Sequence, residues 1–143
     1  MKLALRKGAA PDADALGRFS AEVIKVRLVT HYPHAGMVVG DTLYHATSRH
    51  GLTSQPFDPA GWDVVECGSS RDLAAVQLFE EHKGAGYDWI SLLAFVMVSA
   101  SDSQRWYCYE WCWYVMTGER PKGRVTPEML LGLVAIKRAE APK

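Results

Sequence analysis

The chain of 143 residues carries no excess of charge: sixteen Lys and Arg balance sixteen Asp and Glu. No run of Lys or Arg occurs either, so the electrostatic footprint of a nucleic-acid binder is missing and no nucleic-acid partner is expected. Long apolar runs are absent too. The most apolar stretch, 90–100, is too short to cross a bilayer as a helix. The opening MKLALRKGAAPDAD has no apolar segment followed by a cleavage site, so neither a signal peptide nor a transmembrane segment is expected. The expected location is cytoplasmic, with export by another route left open. Cysteine is scarce: three residues, an odd number, exclude a fully paired disulfide framework. There is no CxxC, and the five histidines fall at no zinc-motif spacing, so no metal and no other cofactor is expected. Internal repeats and low-complexity segments are also lacking. The length suits a single domain over 1–143, and nothing in the pattern speaks to oligomeric state.

What is present reads as an α+β chain. Residues 2–6 alternate weakly, as a first strand. Apolar residues at helical spacing over 13–28 (Leu16, Phe19, Val23, Val26) predict a helix capped by Asp12 or Asp14. Strands are expected over 34–39 and 42–46, joined by a Gly40-Asp41 turn into a hairpin with a histidine on each arm. Segment 48–61 is rich in Gly, Pro and Ser and reads as a loop, and 62–67 as another strand. Gly68-Ser69-Ser70 is expected to cap a helix over 71–82. A mostly apolar helix over 89–98 and a polar loop over 99–104 follow. A further helix, 105–116, ends at Gly118 and Pro121. Thr126-Pro127-Glu128 opens a short helix, and 133–137 reads as a final strand. Strands first and helices after them imply an antiparallel sheet packed against helices.

The segment RWYCYEWCWYVM, 105–116, sets Cys108 and Cys112 among six aromatic rings. A thiol becomes a nucleophile as its thiolate, and the unpaired N–H groups of a helix N-terminus favour that form. Cys108 sits in the first turn and Cys112 one turn deeper, which favours Cys108. Both also read as small core residues, a common fate of free cysteine. A cysteine nucleophile needs a base and a group to orient it. His34 starts one strand and His45 falls near the end of the next, so the two can meet at the open end of the hairpin. Two ordinary strand-end histidines are the alternative. His31, His50 and His82 fall in loop or helix-end contexts and read as solvated.

The succession YPHAGMVVGDTLYHAT, GYDW and RWYCYE resembles the permuted papain-like cysteine hydrolases of the NlpC type. That group includes the branch similar to lecithin:retinol acyltransferase and small proteins of bacteria and phages. Its members place a histidine at the start of a strand, a glycine turn, a polar residue on the next strand, a "Y-D" segment, and a cysteine in "F-C-S-E" at a helix start. Histidine before cysteine is the permuted order. The stretch RVTPEMLL is similar to the "R-V-S-P-x-x-L" ending of phage members, so the resemblance runs from about residue 31 to 131.

The resemblance implies a circularly permuted papain-like fold, with Cys108 as nucleophile, His34 as general base and His45 as its orienting partner. Tyr87, with Asp88 beside it, matches the "Y-D" segment, and Glu110 the acid after the cysteine. Tyr87, Tyr109, Trp106 and Glu110 are the expected substrate-binding or oxyanion residues. Trp106, Tyr107 and Tyr109 are expected to line the cleft, and Trp113 and Tyr114 to lie in the core. One departure stands out: Tyr109 occupies the position where the family has serine. The implied reaction is hydrolysis of an amide through an acyl-enzyme, with a peptide or peptidoglycan-like substrate. Two alternatives stand beside it: an acyltransferase or esterase on lipid or thioester substrates, and a catalytically silent interaction module.

Overall fold

Leu3 and Leu5 alternate with Lys2, Ala4 and Arg6, so a strand built from them has two unlike faces. The computed structural model describes residues 1–9, 13–28, 30–68, 70–88 and 106–140. In chain order these form β1 (Lys2–Arg6), α1 (Ala15–Leu28), β2 (His34–Val39), β3 (Thr42–Thr47), β4 (Gly51–Pro56), β5 (Trp62–Glu66), α2 (Asp72–His82), α3 (Cys108–Thr117) and α4 (Pro127–Glu140). The five strands make one sheet in the order β4-β3-β2-β1-β5, and every neighbouring pair is antiparallel. The expected α+β class and antiparallel sheet are both present.

The register sorts the core into two sides. Leu3 and Leu5 stand opposite Met37 and Ala35. With Ala46 and Leu52 they pack on Trp111, Cys112 and Val115 of α3, and on Leu130 and Val134 of α4. Burying one such aliphatic side chain stabilises the fold by about 1.5–3 kcal/mol. On the opposite side of the sheet, Ala4, Val38, Leu43 and Trp62 form a smaller cluster with Phe57 against it.

Two glycines make the strand pairing possible. Gly40 takes φ +57 in the two-residue turn between β2 and β3. Gly51 begins β4 at φ +66, and a Cβ there would stand 2.1 Å from the Ala85 carbonyl oxygen. That carbonyl accepts from the Leu52 N–H at 2.9 Å, and Leu52 in turn accepts from the Gly84 N–H at 3.1 Å. Gly51 therefore lets the chain after α2 lie directly on β4.

Several expectations need correction. The loop expected over 48–61 contains β4: Gly, Ser and Pro suggested a loop, but 51–56 alternates in burial and pairs with β3 along its whole length. Pro56 is tolerated because it ends an edge strand. The final strand expected over 133–137 lies inside α4, where Leu130 and Val134 are buried one turn apart. Its β-branched residues are overruled by that helical spacing. The cap of α2 is Arg71, with no side-chain bond, rather than a serine. Helix α3 begins at Cys108, later than the expected 105, because Trp106 is held in an extended bridge to Tyr87. The helix and loop expected over 89–98 and 99–104 lie outside the described residues.

Helix ends follow the sequence more closely. The Asp14 carboxylate accepts from the Gly17 N–H at 2.8 Å, which selects Asp14 as the cap of α1. Gly118 closes α3 in the left-handed region at φ +81, its N–H bonded to the Tyr114 carbonyl. The inward face of α1 is Gly17, Ala21 and Ile24; Phe19 and Val26, expected to point inward, are 67% and 79% exposed. Asp14→Ala is expected to cost about 1 kcal/mol. The check is a lowered urea midpoint with an unchanged slope.

Candidate active site

Four elements converge where β2 begins. Register pairs Arg6 with both His34 and Trp62. His34 and His45 sit on adjacent strands as diagonal neighbours, a spacing within reach of long side chains. His34 Nε2 and His45 Nδ1 are 2.9 Å apart, and both rings are buried. Gly36 makes room for this pair: a Cβ there would lie 3.1 Å from the His45 Cβ and 2.6 Å from Leu43 Cδ1. The Trp62 ring stands 5.7 Å from the His34 ring at a tilt, and the Arg6 guanidinium lies over Trp62 at 5.3 Å.

Cys108 is the first residue of α3, after Tyr107 in extended conformation. Its sulfur lies against the backbone N–H of Ala35, the residue after His34, and near the N–H groups of Cys108 and Tyr109. The thiol thus meets β2 at the strand end that carries His34. Strand alternation turns Ala35 toward the helix layer and sends the His34 ring to the side of Trp62 and Arg6. No described residue hydrogen-bonds Nδ1 of His34, and His34 lines a small pocket with Gly17, Ala21, Thr47, Ser48 and Tyr87.

The electrostatics follow from burial. Cys108 is 1% exposed. Burial outweighs the three N–H groups and pushes its thiol up to about 12. Burial also holds His34 well below the usual imidazole value, helped by the neighbouring His45 and the Arg6 guanidinium. The resting pair is therefore a thiol and a neutral imidazole. Cys112 lies one turn deeper, and burial raises its thiol well above the ordinary value.

The remaining predicted residues divide. Tyr87 adjoins the centre: its hydroxyl is raised well above the phenol value, first by burial and then by the closeness of Cys108. A bridge to Trp106 holds it there, with the Asp88 N–H donating to the Trp106 carbonyl at 3.1 Å. Glu110 faces the Tyr107 N–H that precedes the helix, the reciprocal half of a capping box. Burial raises its carboxyl to about 7, against the pull of Arg120. Trp106 is stacked on Tyr114 at 4.9 Å, with the Arg120 guanidinium 3.9 Å over its ring. The rings expected to line a cleft, Trp106, Tyr107 and Tyr109, are buried, whereas Trp113 and Tyr114 are half-buried. This reversal follows from a helix that starts at residue 108 and drives its first turn into the sheet. His82, read as solvated, is half-buried and packs edge-on against Trp106 at 5.4 Å.

Arg6 and Trp62 were missed by sequence reasoning. Only strand pairing brings them to His34, and neither carries a local motif. Among the described residues, no group of three His, Cys, Asp or Glu side chains is placed to hold a metal ion, and no helix is long and apolar enough to cross a membrane. In comparisons with known proteins, no family model, no curated protein and no solved structure matches the chain.

Proposed function

We propose that this chain is a cysteine hydrolase of the permuted papain-like, NlpC type, cleaving an amide in a peptide or peptidoglycan-like substrate. The observation that supports it most is the buried 2.9 Å contact between His34 Nε2 and His45 Nδ1, at the strand end where the Ala35 N–H meets the Cys108 sulfur. His45 fixes the imidazole and leaves Nδ1 of His34 as the proton acceptor.

In this reading the His34 ring swings past the end of β2, from the Trp62 side to the Cys108 side, as substrate enters; Nδ1 then takes the proton of Cys108, and the sulfur attacks the carbonyl carbon. The oxyanion forms beside the backbone N–H of Cys108 at the start of α3. Collapse breaks the C–N bond, and the imidazolium returns its proton to the departing amine. Water, deprotonated by His34, then splits the thioester, releasing the acid and restoring the thiol. Because the resting pair is neutral, proton transfer accompanies attack on bound substrate and does not precede it.

The test is incubation with muropeptides and with simple thioesters, followed by mass spectrometry of products and of Cys108. Cleaved amide with a transient acyl group on Cys108, both lost in Cys108→Ala and retained in Cys112→Ala, is the expected result. Transfer of the acyl group to added amine or alcohol in preference to water would instead identify an acyltransferase. A silent interaction module is the second reading, favoured by the 1% exposure of Cys108; it predicts neither adduct nor turnover.

A further inference from the structure

Tyr109 stands where the resemblance calls for serine, and its hydroxyl donates to the Tyr32 backbone carbonyl. Tyr32 precedes Pro33 and His34. Its own hydroxyl donates to Asp63 Oδ2 at 2.6 Å, and its N–H donates to Thr30 Oγ1 at 3.2 Å. Two consecutive residues of α3 therefore meet the chain on either side of His34: Tyr109 is hydrogen-bonded at residue 32, and the Cys108 sulfur lies close to the backbone of residue 35. Pro33 adds a fixed φ between the first contact and the imidazole, so the orientation of the Tyr32 peptide carries through to His34. A serine ends one bond beyond Cβ and falls short of that carbonyl by the width of an aromatic ring. Tyr109 itself is fully buried, with its ring edge-on to Tyr107 at 6.2 Å. It has no open face to offer a substrate.

Building on the hydrolase reading, we propose that Tyr109 is a positioning residue that fixes His34 relative to Cys108 through the Tyr32 carbonyl. The hydroxyl does this work, and the ring fills the core. Removing the hydroxyl while keeping the ring loosens segment 32–35 and misplaces the base. Small displacements of a reacting group cost about 10–100-fold in rate.

The experiment measures alkylation of Cys108 by iodoacetamide, located by peptide mass spectrometry, across pH 5–9 (roughly the range in which imidazole chemistry is read). Four proteins are compared: wild type, Tyr109→Phe, His34→Ala and the double variant. Tyr109→Phe is expected to slow alkylation about 10–100-fold when His34 is present and to have almost no effect when it is absent, since the two act as one unit. Equal effects in both backgrounds would overturn the proposal, because a general loosening of the core does not need His34. A His34-dependent wild-type rate left unchanged by Tyr109→Phe overturns the positioning role alone. A wild-type rate indifferent to His34 overturns the hydrolase reading and the positioning role with it. Asp63→Asn, on an exposed side of the same tether, is a milder variant and is expected to shift the rate in the same direction. Amide exchange at His34 and Ala35 should quicken in Tyr109→Phe; unchanged exchange there would also count against the proposal.

Discussion

On the proposed hydrolase reading, His34→Ala should slow amide hydrolysis by about 10²–10⁴-fold, the usual worth of a general base; on any reading it should alter how the protein responds to mild acid. The second effect comes from burial. His34 is held neutral, well below its ordinary value, by loss of water, by His45 and by Arg6. Above pH of about 6.5 neither the folded nor the unfolded chain holds a proton at this ring, and the site adds no pH dependence. As pH falls below that value, the unfolded chain takes up a proton that the folded chain refuses. Stability then drops by up to about 1.4 kcal/mol per pH unit until the folded value is reached. His34→Ala removes this sensitivity. The variant is expected to be the less stable protein at pH 7.5, having lost a buried ring and its hydrogen bond. The gap should narrow steadily toward pH 5. Urea denaturation of both proteins across this range measures it, and a gap that stays constant would show that His34 titrates normally.

Gly51→Ala is expected to be among the most destabilising single substitutions in the chain, at about 3–5 kcal/mol. Two independent costs meet at this residue. Its φ of +66 lies in the left-handed region, where a Cβ costs about 1–2 kcal/mol. The Cβ would also stand 2.1 Å from the Ala85 carbonyl oxygen and 3.2 Å from Gly86 Cα. Backbone, unlike a flexible side chain, cannot turn aside. Relief requires breaking the Leu52–Ala85 and Gly84–Leu52 hydrogen bonds that tie β4 to the chain leading to Tyr87. Denaturant unfolding should register the loss directly, and a loss under 1 kcal/mol would mean that the two segments are not held together as described. Because Tyr87 is only two residues beyond Ala85, the substitution should also disturb the pocket it shares with His34.

Local chemistry wrote much of the fold into the sequence. The β2–β3 hairpin was legible because apolar alternation flanks a Gly-Asp turn, and the caps of α1 and α3 because Asp14 and Gly118 are residue types that such ends select. The pairing of His34 with His45 was legible as a register argument. Strand β4 was not, since its Gly, Ser and Pro are loop formers overruled by pairing with β3. The strand expected over 133–137 failed for the converse reason: β-branched residues there are set at helical spacing against the core. Arg6, Trp62 and the Tyr109–Tyr32 bond arise from contacts between distant segments, which no local pattern encodes. The rings of α3 misled because aromatic type does not tell which side of a helix is buried; the start of α3 at Cys108 decides that.

The sheet order β4-β3-β2-β1-β5 bears on the sequence of events during synthesis. β2, β3 and β4 are consecutive neighbours joined by short turns, a meander that needs little loop closure and can collapse early as the chain emerges from the ribosome. The two imidazoles belong to that early unit. Cys108 is made much later, and its sulfur reaches β2 only when α3 docks. On the proposed reading, a chain that ends before α3 holds both imidazoles without their thiol and is silent toward amides until α3 has docked.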